Sequence, residues 1–340
     1  MSQASTTAHD ATLSVERRSG FWEGYRKTLK PLDVEEPVDV WIHRPIAYLL
    51  TRALYPTSVS PNAVTMLSIV FGLVAGFALF SSFSGHLVLA GAAIFLSAVF
   101  DCADGQLARM RGTSSALGRM LDGTADFVVS LSAVGGAAWV IWSKHHDSWW
   151  VGLIAFGLAA ATAVTGSFHT GLYDHYKNLY LHFTSPSSGD VEDHVTARRR
   201  HERREPASSL GARLAWPIYL FYLDSQASVV LGYDPETSAR FAELPAYDER
   251  RARIFREHMA PLMRVWRNWF GFGSLVFGLA VSSALDILEY YMLFRLVLLN
   301  ALFYGWLRAA QRRASRAAFD AMGLVTPERS EAEATTAAVA

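Results

Sequence analysis

Apolar residues along the chain are concentrated in long segments that short polar connections separate. Six of these segments approach the roughly 20 residues that a helix needs to cross a lipid bilayer. They lie at about 62–82, 86–108, 118–143, 150–172, 266–284 and 287–307. The pattern predicts an all-α polytopic membrane protein with about six transmembrane helices.

The composition agrees with this prediction. Hydrophobic residues make up 51% of the 340 residues and the mean hydropathy is positive, which is more apolar than an ordinary soluble protein. The formal net charge is zero, so charge gives no reason to expect a nucleic-acid partner. Cys102 is the only cysteine, which excludes an internal disulfide. The polar N-terminus has no apolar core of a secretory signal, so no cleaved leader is expected.

Basic residues alternate between the connections. The segment before the first span is rich in Lys and Arg, and the next connection, SSFSGH, has neither. Arg109, Arg111 and Arg119 follow the second span, whereas the third connection holds only Lys144. Because basic loops stay in the cytoplasm, we expect a multi-pass protein of the cell membrane with both termini cytoplasmic.

The same pattern divides the chain into parts. They are a polar N-terminal segment (1–36), an interfacial amphipathic helix (37–56), a membrane core with spans one to four (57–182), a cytoplasmic insertion (183–262), spans five and six (263–313) and a disordered C-terminal tail (314–340).

Two of these parts leave alternatives open. In 37–56, apolar residues at helical spacing are interrupted by Arg44 and Arg52, which is typical of a helix lying in the membrane interface, although a plain connecting helix fits as well. Within the insertion, LGARLAWPIYLFYLDSQASVVLGY is apolar but contains Pro217, Asp224 and Gln226. We expect an interfacial or packed helical hairpin there rather than a seventh span.

Four aspartates lie at the adjoining ends of the second and third spans, in FDCADGQLARMRGTSSALGRMLDGTADF. Asp101 and Asp104 are one turn apart on the predicted second helix, and Gly105 and Ala108 fall on the same face. The pair of carboxylates is therefore flanked by very small residues, which leave room for a bulky group. Arg109, one turn further on, could hold the oxygens of an anion.

The predicted third helix repeats this arrangement, because Gly118, Asp122 and Asp126 are spaced by four. Carboxylates facing each other in a low dielectric would repel, and burying each one unpaired costs several kcal/mol. A divalent cation removes that repulsion, and all-oxygen ligation suits Mg²⁺ or Mn²⁺. The expected metal ligands are Asp101, Asp104, Asp122 and Asp126. A purely structural role for the four is the alternative.

The spacing resembles the signature of the CDP-alcohol phosphotransferase family, DxxDGxxAR followed by GxxxDxxxD, with every signature position filled. The resemblance covers residues 37–180, including the stretch SPNAVT before the first span. Members of that family displace CMP from a CDP-linked donor with the hydroxyl of an acceptor alcohol and form a phosphodiester. The resemblance therefore implies a metal-dependent enzyme of phospholipid synthesis.

The resemblance also implies residue roles. Asp101, Asp104 and Asp122 would ligate the metals, and Asp126 would be a ligand, the general base for the hydroxyl, or both, so that Asp122 and Asp126 are the expected catalytic residues. The residues expected to contact the nucleotide are Asp104, Gly105, Ala108, Arg109 and Gly118.

The resemblance leaves the substrates open. The expected partners are a CDP-linked donor, a lipid from the bilayer, an acceptor alcohol and, as is common in the family, a second copy of the chain. The donor is CDP-diacylglycerol, or a CDP-alcohol such as CDP-choline or CDP-ethanolamine that reacts with diacylglycerol. A membrane prenyltransferase and a non-enzymatic cation transporter are the competing functions.

Three residues are candidates for binding an anionic acceptor: Arg295, Lys177 and His169. An arginine deep in the sixth span is expected to face a polar cavity or a partner. Alternatively, Arg295 pairs with Glu289 or Asp286, or its side chain extends to the membrane surface.

Overall fold

The computed structural model describes residues 20–113, 116–144, 148–186, 232–234, 237 and 244–324, without the side chains of 116–128. The predicted hairpin in the insertion lies almost entirely outside these residues. The described residues form helices and no strand, so the all-α prediction is confirmed.

The helices are labelled here in chain order. They are α1 (Phe21–Lys27), α2 (Arg44–Leu54, after a π-helical turn at Asp39–His43), α3 (Pro61–Leu79), α4 (His86–Arg111), α5 (Ala116–Ser143), α6 (Trp149–Thr184), α7 (Glu249–Trp269), α8 (Phe272–Ala284) and α9 (Leu288–Ala321, with π-helical turns at Phe294–Leu299 and Phe303–Leu307).

Four helices, α3, α4, α6 and α9, are long and apolar enough to cross a membrane, which identifies a membrane protein. They correspond to the predicted first, second, fourth and sixth spans. The third predicted span lies in the 28-residue helix α5, whose described part, Val129–Ser143, is apolar.

The fifth predicted span, 266–284, is divided between two helices. The chain leaves α7 at Phe270, and Gly271 is extended with φ −77° and ψ 161° before α8 begins. The helix α8 has 13 residues and is about 20 Å long. Hydropathy joined the two helices because Trp266 and Phe270 are apolar, but both are buried against other aromatic residues.

Local signals fix the ends of the helices beside the aspartates. Ser60 caps α3, since its side chain accepts a hydrogen bond of 3.2 Å from the backbone of Ala63, and Pro61 occupies the first turn. Gly112 ends α4 in the left-handed conformation with φ 63°, which a residue with a Cβ adopts less readily.

Small residues allow α3, α4, α5 and α8 to pack closely; this group is called the inner bundle. A Cβ on Gly91 would lie 2.4 Å from the backbone oxygen of Ala280, and one on Gly76 would lie 2.9 Å from the Cβ of Ser132. Close packing through small residues is typical of helices inside a membrane.

A second core forms where the C-terminal half of α6 packs against α7 and the end of α9; it is called the aromatic bundle. Phe183 stacks on Phe255 with ring centroids 4.5 Å apart. The indole of Trp266 donates a hydrogen bond of 2.9 Å to Gln311. Burial of Phe319 in this core explains why α9 continues to Ala321, into the segment that was expected to be disordered.

The chain between α1 and α2 connects the two bundles; residues 28–43 are called the N-terminal strap. Tyr173 of α6 donates a hydrogen bond to the carbonyl of Val34, and Glu36 accepts backbone hydrogen bonds of 3.1 Å from Gly273 and 2.8 Å from Ser274. The strap therefore connects α6 to the N-terminus of α8. The expectation of a polar N-terminal segment did not include these contacts.

Candidate active site

The first pair of aspartates lies on α4, one turn apart. Asp104 is buried at 6% exposure, and Asp101 is half-buried. The hydroxyl of Thr65, on α3, donates a hydrogen bond to the carboxylate of Asp104. A hydroxyl that orients a buried carboxylate is the arrangement expected around a metal ligand.

The second group lies on α5, which contains Gly118, Asp122 and Asp126. Their side chains are outside the described part of the chain, so their approach to α4 stays a prediction. Among the described residues, no group of three or more His, Cys, Asp or Glu is arranged to hold a metal. Asp101 and Asp104 are carboxylates, and the oxygen ligands that they offer fit Mg²⁺ or Mn²⁺.

The small residues on α4 lie beside the guanidinium of Arg109. A Cβ on Gly105 would be 3.3 Å from a terminal nitrogen of Arg109, so the guanidinium rests over this glycine. Ala108 is half-buried and Arg109 is exposed. The face of α4 that carries Asp101 and Asp104 is therefore open toward the end of the helix, where an anion could approach.

Arg111 fixes the loop that follows α2 against the end of α4. Its guanidinium donates hydrogen bonds to the backbone oxygens of Leu54, Tyr55, Thr57 and Val59. These carbonyls end α2 and lead into α3. The arginine therefore positions α2 and the start of α3 beside the aspartates.

A polar cavity adjoins this region, between the strap and α6. Six of its eight lining residues precede α3, and the other two lie on α6. They are Lys30, Val34, Glu35, Glu36, Asp39, Arg44, Tyr173 and Lys177.

Most of the charges in the cavity have a partner. Arg44 forms an ion pair of 2.8 Å with Glu35, and His43 contacts Asp39 at 2.9 Å. Burial raises the pKa of Glu36 to about 8, and the charge of Asp39 adds to this effect. The cavity therefore contains a carboxyl that holds a proton more firmly than usual.

The positive charges of the two lysines in the cavity repel each other. The positive charge of Lys177 is the largest cause that lowers the pKa of Lys30 to about 8. Lys177 is paired with Asp174 in the same helix and lies 5.0 Å from the ring centroid of Tyr173.

The structure separates Lys177 from the other two predicted acceptor residues, His169 and Arg295. Lys177 lines the cavity, whereas His169 lies two turns earlier on α6, about 12 Å away along the axis. The imidazole is buried between the rings of Phe270 at 4.9 Å and Phe303 at 5.2 Å. Arg295 is also buried.

Arg295 does not form either predicted ion pair. Its guanidinium contacts the hydroxyl of Tyr291 at 3.4 Å. Asp286 and Glu289 instead pair with Lys144, at 2.7 Å and 3.2 Å. The hypothesis that one of these carboxylates neutralises Arg295 is therefore wrong.

Sequence reasoning missed Thr65 and the charged residues of the strap. Thr65 ends the stretch SPNAVT, and its spacing of four from Pro61 places it one turn inside α3. The run EEPVD in the strap offered a weaker signal, because acidic residues interrupt an otherwise basic N-terminal region. Neither signal indicates which helix the side chains contact.

Comparison with known proteins gives matches to the region that contains this site. Residues 58–177 match the family model described as CDP-alcohol phosphatidyltransferase. The phosphatidylinositol phosphate synthase of Mycobacteroides abscessus is 37% identical over 98 residues, which are 29% of this chain and 42% of the relative. The enzyme of the same name from Corynebacterium glutamicum is 36% identical over the same shares.

The chain thus spans less than half of the length of the curated relatives that it matches. The matched region begins in the loop before α3 and ends in α6, and it contains every residue of the aspartate signature. Residues 58–177 of this chain form a CDP-alcohol phosphatidyltransferase domain.

Proposed function

We propose that this protein is an integral membrane phosphotransferase that uses CDP-diacylglycerol as donor and a phosphorylated polyol as acceptor. The observation that carries the proposal is the complete aspartate signature on α4 and α5, with Thr65 hydrogen-bonded to Asp104, in a region similar to phosphatidylinositol phosphate synthases. The names of these relatives favour CDP-diacylglycerol over the use of CDP-choline or CDP-ethanolamine.

In the proposed reaction, the acceptor hydroxyl attacks the phosphorus that carries the diacylglycerol group. A new bond forms between the acceptor oxygen and this phosphorus. The bond from the same phosphorus to the bridging oxygen breaks, and CMP leaves with that oxygen. Asp126 is proposed to take the hydroxyl proton as a general base, so the products are a phosphodiester and CMP.

Asp101, Asp104, Asp122 and Asp126 are proposed to hold Mg²⁺ or Mn²⁺. The bound cation would neutralise the diphosphate and stabilise charge on the leaving phosphate. Within the protein, Thr65 orients Asp104, which fixes one ligand before substrate arrives.

The small residues of the signature provide space for the donor. Gly105, Ala108 and Gly118 are proposed to admit the cytidine and diphosphate, and Arg109 to contact a phosphate. Arg109 suits this role because its guanidinium is exposed and already lies against Gly105.

Lys177 is the predicted acceptor residue that the geometry supports best, because it lines the polar cavity, where Lys30 is close enough to Arg109 of α4 to be affected by its charge. His169 and Arg295 lie deeper, among aromatic side chains. A soluble acceptor would reach Lys177 first.

We propose six crossings with both termini in the cytoplasm, and a homodimer as the assembled form. The distribution of exposed apolar side chains supports this topology. Such side chains extend along α6 to Val164 and along α9 to Trp306. The arginines of α9 begin directly afterwards, at Arg308. This distribution supports the proposal that the part of the aromatic bundle beyond Val164 on α6 and Trp306 on α9 lies on the cytoplasmic side.

A donor-by-acceptor assay on the purified protein tests the function. Radiolabelled CDP-diacylglycerol is offered with inositol phosphate, glycerol phosphate or serine, and CDP-choline with diacylglycerol, each with Mg²⁺ or Mn²⁺. We expect CMP release from CDP-diacylglycerol with a phosphorylated acceptor. Release from CDP-choline alone, or none with any pair, would refute the proposal.

Two variants test the site. Asp122→Asn and Asp126→Asn should abolish CMP release, because each removes a charged ligand or the proton acceptor. Asp286→Asn is the matched control. Asp286 pairs with Lys144, which follows the C-terminal end of α5, whereas Asp122 and Asp126 lie near the N-terminal end of that helix. Full turnover in both signature variants would overturn the assignment.

A further inference from the structure

We propose that Lys30 of the N-terminal strap and Lys177 of α6 together form an anion site that binds the phosphate group of the acceptor. This inference rests on the proposed function and deepens it, because it adds a residue that sets acceptor specificity. Lys30 lies outside the matched region of 58–177. The strap would therefore supply a contact that the phosphatidyltransferase domain itself does not contain.

The first support is the distribution of ion pairs around the cavity. Arg44 is paired with Glu35, and Lys177 with Asp174. In the part of the chain that the structure describes, the ammonium of Lys30 forms no ion pair and no side-chain hydrogen bond; only its backbone N–H is engaged, with Glu35 at 2.8 Å. Lys30 is thus a cation available to a ligand.

The carboxylates of the cavity are engaged elsewhere. Glu36 accepts hydrogen bonds from two backbone amides at the start of α8, and Asp39 contacts His43. Glu35 forms an ion pair with Arg44 and accepts a hydrogen bond from the backbone N–H of Lys30. These acidic groups hold the strap in place, and none of them forms an ion pair with the Lys30 ammonium.

The second support is the approach of two like charges. Lys30 and Lys177 line the same cavity, and the charge of Lys177 is the main reason why the pKa of Lys30 falls to about 8. Repulsion of this kind opposes folding, and an anion between the two ammonium groups would relieve it. A phosphate monoester carries close to two negative charges at neutral pH and matches two lysines.

The third support is the rigid placement of the strap against α6. Tyr173 donates a hydrogen bond to Val34, and Tyr180 donates one of 3.0 Å to Asp33. Because both tyrosines lie on the helix that carries Lys177, the two lysines are held in a fixed relation. An anion site needs such fixed donors to discriminate between ligands.

Binding of inorganic sulfate to the purified full-length protein tests the site without any turnover. Sulfate is the probe because its charge is constant across the pH range used. We expect sulfate to raise the melting temperature of the detergent-solubilised protein, and Lys30→Met to weaken the apparent affinity about tenfold, as loss of one charge-assisted contact does. Lys27→Met is the matched control, since Lys27 is exposed at the end of the neighbouring helix α1 and paired with Glu23.

A pH series separates a direct role of Lys30 from a structural one. The charged and titratable groups that face it are Glu35, Glu36, Asp39, Arg44, Arg109, Tyr173, Asp174 and Lys177. Since Lys30 loses its proton above about pH 8, wild-type affinity for sulfate should fall about tenfold between about pH 7 and about pH 9. Lys30→Arg should keep the affinity and abolish this decline.

Kinetic assays link the site to the acceptor. Lys30→Met should raise KM for the phosphorylated acceptor about tenfold and leave kcat nearly unchanged, because the contact exists before and during the reaction. Equal behaviour of Lys30→Met and Lys27→Met in sulfate binding and in KM would overturn the inference while CMP release stands. Lys30-dependent sulfate binding without CMP release from any donor would instead refute the proposed function alone.

Discussion

The inner bundle and the aromatic bundle reach similar burial with opposite kinds of residue. In the core of the inner bundle, together with the residues of α6 and α9 that pack against it, nine of the 16 described buried residues are alanine. In the aromatic bundle, nine of the 18 are Phe, Tyr or Trp and one is alanine. The same chain therefore packs by close backbone approach in one region and by large side chains in the other.

The difference follows from the solvent that each region is proposed to face. In lipid, burying a large apolar side chain gains little from the hydrophobic effect, so helices associate through small residues and van der Waals contact. In water, burying aromatic rings supplies the driving force. The change in core composition along α6 and α9 thus coincides with the proposed surface of the membrane.

Trp266→Ala should give the largest effect, in the aromatic bundle. Trp266 is fully buried and donates its indole hydrogen bond to Gln311, so we expect a loss of about 3–5 kcal/mol in the free energy of unfolding. Chemical denaturation in detergent measures it. Trp269→Ala is the control, because Trp269 is 48% exposed. Equal losses of unfolding free energy in the two variants would show that buried aromatic rings do not supply the stability of the aromatic bundle.

Gly91→Leu should have the next largest effect, in the inner bundle. Any side chain at Gly91 meets the backbone of Ala280 at 2.4 Å, and backbone cannot move aside as a side chain can, so we expect about 3 kcal/mol of destabilisation. Thermal unfolding detects it. Gly157→Leu serves as control, since no described atom lies within 4 Å of a Cβ placed there. Comparable destabilisation by this variant would show that the close approach of helices at Gly91 does not stabilise the inner bundle.

Thr65→Val should weaken the proposed activity where the inner bundle meets the polar site. Loss of the hydroxyl that orients Asp104 should reduce CMP release about ten- to a hundredfold and raise the half-saturating Mg²⁺ concentration about tenfold. The matched control is Thr165→Val, whose hydroxyl bonds, among the described residues, to carbonyls of its own helix only. An unchanged Mg²⁺ requirement would contradict a positioning role for Thr65.

Lys30→Met should have the smallest effect on stability and the opposite sign. The folded-state pKa of Lys30 is about 8, below its usual 10.5, so the unfolded state binds more protons between these values and stability rises with pH across that window. Below about pH 8 the lysine therefore destabilises the fold. Because Lys30 is exposed at the cavity rim, the melting temperature at neutral pH should rise by only about 2 °C in the variant. A lower melting temperature would show that Lys30 stabilises the fold.

Much of the inner bundle could be predicted from the sequence. The stretch SPNAVT marks the start of α3 through a serine cap and a proline, and the glycine after Arg111 ends α4. Hydropathy gave the approximate limits of α3 and α4, whereas α6 and α9 begin near the predicted spans but continue past them to Thr184 and Ala321, where the helices become polar. The pairing of Asp101 and Asp104 on one face needed only helical periodicity.

The aromatic bundle could not be predicted in the same way. Hydropathy counts Trp266 and Phe270 as apolar whether they face lipid or another helix, so it joined the end of α7 to α8 as one span. The segment 1–36 was treated as polar in character, although Glu36 accepts hydrogen bonds from the backbone of Gly273 and Ser274, which are distant in the chain. Such pairings depend on the arrangement of helices and leave no local pattern.

The sequence by itself determined the all-helical membrane class, the aspartate signature and the spacing that places carboxylates and small residues on shared faces, since these follow from composition and from periodicity within one helix. Only the tertiary structure decided that Thr65 bonds to Asp104, that Asp286 and Glu289 pair with Lys144, and that Lys30 lies across a cavity from Lys177. Each of these contacts joins residues from different elements, and their geometry is fixed by how whole helices pack.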